Sequence, residues 1–333
     1  MSLLGSLVLI AAQVAGEPYR VKPLEFPPEN AARRITGDLV KVDAIRRAGE
    51  LRVDGSGELK EFTLLPFGNA TYLNAEADLR DLAIGLHVTV LLYADAAGAV
   101  TRASNVMDDI SVAARQGSGT RLVRVDVPGG ILEATRGSEM LTIRINEKTR
   151  VWKGAKESEA AQLAEGDELW VNYGGRTATG AGLCTEIYAG VEAQKAATAR
   201  QRKKQIAWLK ERGLPCWVDR VEGMAVTVTV FSNDRTALRE FLKGEHIEPG
   251  KRVINMVVAN EELRTYNPPV DHVRSMLLKI IPASDDAPGS YGERWVIQPG
   301  LLLEGFRKGR VLRLFPDLWP IKDMPRGENL YDE

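Results

Sequence analysis

From Ile35 onward the chain alternates apolar and polar positions or runs through short stretches rich in Val, Ile and aromatic residues. Such runs occupy 39–42, 62–65, 88–93, 141–145, 169–173, 226–231, 253–258, 276–281 and 311–315. Period-two alternation puts one face of a strand on a core and the other in water, so these segments predict strands. Asp54-Gly55, Gly129-Gly130 and Gly174-Gly175 punctuate them as turns. One segment breaks the pattern. Residues 192–212 hold Ala193, Ala196, Ala197, Ala199 and Ala207 and meet no Gly or Pro until Gly213-Leu214-Pro215, the order in which a long helix ends. Ala196, Ala199, the Lys203 stem, Ile206 and Leu209 give that helix a narrow apolar stripe, which predicts that it lies along one barrel.

A short pattern recurs at Leu82 to Val88, Leu163 to Leu169 and Ile247 to Val253. It consists of an apolar residue, two variable residues, Gly, two more, then the apolar start of a strand. Its glycines, Gly85, Gly166 and Gly250, lie about 80 residues apart, a domain-sized period. Glycine tolerates positive φ and can turn the chain out of a helical turn into the next strand. Helix-like stretches at 75–82, 158–163 and 235–242 precede the three copies. Three strands, a short helix and two more strands is the order of an OB-type barrel. The expected architecture is therefore mainly β: tandem OB-like small β-barrels with one long linking α-helix. Barrel 1 falls at 35–116, barrel 2 at 120–190 and a basic linker helix at 191–214. Barrel 3 starts at 215, its repeat unit ends near 282, and a C-terminal β extension takes it to 333. Phe306 to Leu312 resembles a truncated further copy of the pattern.

The front of the chain reads differently. Leu3 to Ala15 form an uncharged apolar run, followed by Val14-Ala15-Gly16 and then Glu17-Pro18. That order is a signal-peptide core and small-residue cleavage site, predicting a leader over 1–16 and an extracytoplasmic, soluble product, periplasmic or secreted. A buried N-terminal element is the alternative. Residues 17–34 carry Pro18, Pro23, Pro27 and Pro28 and read as an extended lead-in.

Three stretches, Thr149-Arg150-Val151-Trp152-Lys153-Gly154, Ala197-Thr198-Ala199-Arg200-Gln201 and Leu301 to Arg307, resemble a family of exported, uncharacterised proteins from planctomycete-type bacteria with OB-like small-barrel repeats. The resemblance spans most of residues 35–320. It implies export and a full-length unit, and it supplies no catalytic residue.

Charge and composition narrow the chemistry. Lys+Arg 44 against Asp+Glu 45 gives a net charge of -1, which argues against coating nucleic acid by bulk electrostatics but leaves a local basic patch open. Two Cys and three His, scattered along the chain, speak against a multi-thiol or multi-imidazole metal site. The sequence has no nucleophile elbow, phosphate-binding glycine loop, dinucleotide fingerprint or zinc motif, so no catalytic residue, metal ligand or cofactor is assigned. His87 reads as a barrel-surface residue. Asp95, Asp108 and Asp109 read as solvated strand-end acids, with a hard-cation site as the alternative. Cys184 and Cys216 come together for a disulfide if the chain reverses near Val191; two buried free thiols are the competing reading.

Two basic clusters carry the binding hypothesis. Lys195, Arg200, Arg202, Lys203, Lys204, Lys210 and Arg212 line the helix, with Trp208 in its last turns. Arg307, Lys308, Arg310 and Arg313 are interleaved with Phe306, Phe315 and Trp319. The primary reading is an exported, non-enzymatic binding or scaffold protein of the cell envelope, for an anionic polymer or a partner protein. A single-strand nucleic-acid binder, with charges on phosphates and rings on bases, is the alternative. A polymer hydrolase using paired carboxylates is a further one.

Overall fold

The computed structural model describes residues 17–117, 119–175, 182–232, 252–258, 272–282, 292–316 and 321. The first barrel is built from β1 (Arg33–Asp43), β2 (Ala48–Val53), β3 (Leu59–Tyr72), β4 (Ala75–Ala77), β5 (His87–Ala94) and β6 (Val100–Asp108). β1 pairs antiparallel with both β2 and β5, β2 with β3, and β5 with β6. A parallel β3–β6 ladder then closes the ring. This is OB order, in which the first strand serves the second and fourth and the third closes on the fifth. Leu39, Leu51, Phe62, Val88, Val90, Leu92 and Val106 fill the interior.

The second barrel repeats the order with β7 (Thr120–Asp126), β8 (Ile131–Arg136), β9 (Glu139–Arg144), β10 (Arg150–Lys153), β11 (Lys156–Ser158), β12 (Glu168–Gly174) and β13 (Leu183–Ala189). Its third strand is split, and β13 runs parallel to both pieces, β9 and β10. The stretches expected as short helices before the glycines are a strand plus a single 3-10 turn in each barrel: β4 and Leu79–Asp81, β11 and Ala160–Gln162.

The third barrel departs from OB closure. β14 (Leu214–Glu222), β15 (Ala225–Val230), β16 (Arg252–Val258), β17 (His272–Ile281), β18 (Arg294–Pro299) and β19 (Val311–Pro316) form a closed ring in the order β14-β15-β18-β17-β16-β19. Every neighbouring pair in it is antiparallel. The segment expected as a C-terminal extension is thus part of the barrel itself: β19 seals it between β14 and β16.

The repeat position is filled in the third barrel too. Gly250 lies outside the described residues; among these, Gly309 holds the place that Gly85 and Gly166 hold in the other two barrels. These three glycines have φ of 87°, 88° and 87°. Their N–H groups donate to the carbonyls of Leu39, Leu122 and Val218 at 2.7, 2.8 and 2.8 Å. In return, the N–H groups of Leu39, Leu122 and Val218 donate to Leu86, Asp167 and Arg310, the residues that follow the glycines, at 2.9, 2.8 and 2.9 Å. Each acceptor sits at a register shift in the first strand of its barrel. Such a bulge bends the strand so that it reaches both neighbours.

Two helices and a strap join the barrels. α1 (Asp109–Gln116) follows β6, and α2 (Val191–Arg212) follows β13. The buried face of α2 is Ala193, Ala197, Thr198, Gln201, Gln205 and Leu209; of the expected stripe only Leu209 is fully in it, Ala196 and Ile206 being half-buried and Ala199 and Lys203 exposed. Polar members of that face are hydrogen-bonded: Thr198 Oγ1 donates to the Leu73 carbonyl at 2.8 Å and Gln201 Nε2 to Asp81 Oδ2 at 2.9 Å. The lead-in is ordered well before Ile35. The Ala94 N–H donates to the Tyr19 carbonyl at 2.9 Å, and the Val21 N–H to the Ala94 carbonyl at 3.1 Å. Its Phe26 ring lies 4.4 Å from Phe67 of the first barrel and 4.8 Å from Trp217 of the third. Outward residues of β5 are therefore covered too, which is why the whole strand is buried.

Replacing Gly85, Gly166 or Gly309 by Ala is expected to cost about 1–2 kcal/mol each, from the left-handed backbone alone. A Cβ there meets nothing within 4 Å. Urea unfolding of the three variants, with costs of similar size, checks the equivalence. Phe26→Ala is expected to cost about 3 kcal/mol and to raise proteolytic cleavage between the first and third barrels, read by limited proteolysis.

Candidate functional site

The outward side of α2 is the surface that the sequence singled out. Arg200, Lys203 and Lys210 are exposed, Arg202 is half-buried, and the acids on the helix are Glu192 and Glu211. Glu192 pairs with Lys195. Lys204 is exposed as well, its side chain at 64%, and it pairs with Asp81 of the first barrel, so it also ties the helix down. Trp208 is half-buried against the core of the third barrel and offers no open ring.

Next to this face, β10 and β13 contribute an aromatic stack. Trp152 and Tyr188 are register partners, and their rings lie 4.5 Å apart at an interplanar angle of 7°. Ala193 and Ala197 of α2 and Leu73 of the first barrel bury the pair. The Arg150 guanidinium sits over the Trp152 ring at 4.5 Å. Burial, with the charge of the Glu186 carboxylate, pushes the Tyr188 phenol well above its ordinary pKa, and Arg200 and Arg150 pull against that shift. Sequence reading named Arg200 but missed Arg150 and Tyr188, because their proximity is created by a parallel ladder between distant strands.

The second basic cluster is open only in part. Arg307 pairs with Glu304. Arg313 is buried and donates to the Arg212 carbonyl at 3.1 Å. Phe306 and Phe315 are core residues. Lys308 and Arg310 are exposed, and Trp319 lies outside the described residues. The disulfide reading is also corrected. Cys184 is buried in the core of the second barrel and Cys216 in that of the third, both as free thiols. Each was drawn inward as a small apolar group.

Of the acids assigned to solvent, Asp108 and Asp109 instead belong to the joint between the first two barrels. Asp108 is fully buried and caps α1, accepting from the Ser111 N–H at 3.0 Å, the Leu73 N–H at 3.1 Å and Asn172 Nδ2 at 2.9 Å. Asn172 Nδ2 also reaches Glu186 Oε2 at 3.2 Å, which accepts from the Tyr72 hydroxyl at 2.7 Å. His87 is buried, not on the surface: Nδ1 faces Asp109 Oδ1 at 2.8 Å and Nε2 faces Asp54 Oδ2 at 3.0 Å. A neutral imidazole has one N–H, so holding both carboxylates takes one further proton on the ring or on an acid. Asp95 is spent in a turn, accepting from the Ala99 N–H. Among the described residues no group of three or more His, Cys, Asp or Glu is arranged to hold a metal ion, and no helix is long and apolar enough to cross a membrane.

Comparison by sequence finds no protein family whose pattern matches the chain and no similar curated protein. Among solved structures, the chain is similar to the CSD456 segment of drosophila Unr, at 13% identity and a TM-score of 0.18 over 60% of this chain and 78% of that one. It is also similar to a multidomain protein with nucleic acid binding domains from Streptococcus pneumoniae, at 11% identity and a TM-score of 0.16 over 74% of this chain and 69% of that one. Likeness of that degree carries no argument about what this chain binds.

Burial pushes the Asp108 carboxyl up to about 6 despite the hydrogen bonds from Ser111, Asn172 and Leu73 that pull it down. Because its folded pKa lies above the unfolded value near 4, the protonated form favours the folded state, and that contribution is lost as pH rises from about 4 through about 6. The stability difference between wild type and Asp108→Asn is therefore expected to shift against the wild type by up to about 3 kcal/mol over that window, as measured by urea midpoints at pH 4 and pH 7.

Proposed function

We propose that the protein is a non-enzymatic binding protein for an anionic polymer, held on the outer face of α2 and the adjoining rim of the second barrel. The observation that carries this reading is the exposed run of Arg200, Lys203 and Lys210 on a rigid helix. Exposed cations on a fixed rod add little to folding but track a chain of negative groups well. Of the rings expected to stack on bases, Phe306 and Phe315 are core residues and Trp208 is half-buried against the third barrel, which supports recognition by charge rather than by base. A binding role also agrees with the use of the buried acids: Asp108, Asp109 and Glu186 are engaged at the barrel junction. The apolar run at 3–15 supports the further proposal that the chain is exported and cut near Gly16 into the cell envelope. A mature N-terminus at residue 17 in an extracytoplasmic fraction tests it.

Single-stranded oligonucleotide and heparin offer the two sources of polyanion, and retention on each decides between them. The variant Arg200→Gln/Lys203→Gln/Lys210→Gln is expected to weaken retention and to lower the salt dependence of log K on an oligonucleotide by about 2. Stability should stay within about 0.5 kcal/mol of wild type. Unchanged retention on both columns would return α2 to the role of a linker.

A further inference from the structure

His87 sits where the first barrel meets the second, and its ring is held from both sides. We propose that it is a buried imidazolium whose charge latches the two barrels together, so that the joint is tight in acid and loosens as the ring loses its second proton. The latch is independent of what α2 binds.

The geometry sets the proton count. Nδ1 lies 2.8 Å from Asp109 Oδ1 and Nε2 lies 3.0 Å from Asp54 Oδ2, with the side chain only 3% exposed. Both carboxylates also accept from other donors: Asp54 Oδ2 from the Thr36 hydroxyl at 2.8 Å, and Asp109 Oδ2 from the Tyr173 N–H at 3.3 Å. Such bonds favour the ionised acid, so the further proton belongs on the ring, which then offers two donors to two acceptors. The connection across the joint is continuous. His87 opens β5 of the first barrel, Asp109 opens α1, and Tyr173 lies on β12 of the second barrel. Beside it the Gly175 N–H donates to the Gly85 carbonyl at 3.2 Å, so the barrels also touch there through backbone.

The charges around the ring hold the proton in place. Asp38 of β1 is the register partner of His87, and the exposed Arg52 of β2 lies opposite Asp38 on its far side. Asp108 of β6 pairs with Val88, the next residue. Burial pushes its carboxyl up to about 6, so it gains its charge before the ring gives up its proton. On β13, Glu186 bonds Tyr72 and Asn172, while burial pushes the Cys184 thiol up and keeps it neutral. The Tyr173 side chain of β12 packs on the core of the second barrel. A buried cation alone is costly; paired carboxylates offset that cost. A ring whose folded pKa exceeds its unfolded value near 6.5 adds stability that is complete below that value and lost as pH rises through the folded one.

The test uses the full chain. The ring nitrogens, followed by nitrogen-15 NMR and assigned by their loss in His87→Gln, should both still carry a proton at about pH 7.5, above the ordinary imidazole range. A ring already neutral there overturns the proposal. Asp54→Asn keeps an acceptor and removes a charge, and should lower the pH at which the ring titrates by about one or more; no change overturns it. The latch itself is read at the Tyr173 N–H. Its protection against hydrogen exchange, corrected for the intrinsic rate, should fall about tenfold or more between about pH 6 and pH 9 in wild type and stay flat in His87→Gln. Asp108 is present in both proteins, so its own titration cancels in the comparison. Protection that persists while the ring loses its proton overturns the latch. Should His87→Gln not fold, as judged by its circular dichroism melt, the Asp54→Asn titration and the wild-type exchange profile decide.

Discussion

A small barrel closes only if its first strand can pair with two neighbours that diverge, and a straight strand cannot do so. In each of the three barrels the strain is relieved at one place. The first strand bulges, and the exposed N–H and C=O of its bulge residue bond to the residues around a positive-φ glycine that opens a later strand. The reciprocal pair of hydrogen bonds thus fixes the bend of the strand and the entry of its partner together. It survives in the third barrel, where the closing ladder is antiparallel and not parallel as in the other two. The closure device is therefore more general here than the barrel topology.

Between barrels the rules differ, because a surface that stayed apolar in an isolated unit would be a liability. The first and second barrels meet through buried carboxylates, an asparagine, a histidine and a tyrosine, with each buried acid taking hydrogen bonds from the partner barrel, from α1 or from the turn at Leu73. Directional bonds of this kind fix an orientation, and they make the joint sensitive to proton concentration. The first and third barrels meet instead through rings: Phe67, Trp217 and Phe231, wedged by Phe26 of the strap. One chain thus uses a polar joint and an apolar joint, and α2 spans the molecule between them.

The function proposed for α2 depends on that placement. A free helix of this composition would be a solvated rod. Docked by Ala193, Ala197, Thr198, Gln201 and Gln205, it turns one face into structure and leaves the other as a row of cations beside the aromatic stack of the second barrel.

The sequence by itself determined the mainly β architecture, the tandem of small barrels, the limits of the long helix and the basic character of its outer face. All of these follow from local alternation, composition and turn chemistry within a few residues. It also carried Gly85 and Gly166, because a positive-φ requirement is a property of one residue. The same apolar-x-x-Gly-x-x-apolar pattern recurs at Phe306 to Leu312, and only the ring closure through β19 shows that Gly309 shares the place of Gly85 and Gly166; Gly250 lies outside the described residues. His87, Asp108, Cys184 and Cys216 were decided by tertiary structure alone: whether an imidazole, an acid or a thiol meets water depends on which distant strand is packed against it. For the same reason Arg150 and Tyr188 were invisible in the sequence, being joined by a parallel ladder that brings residues far apart in the chain into register.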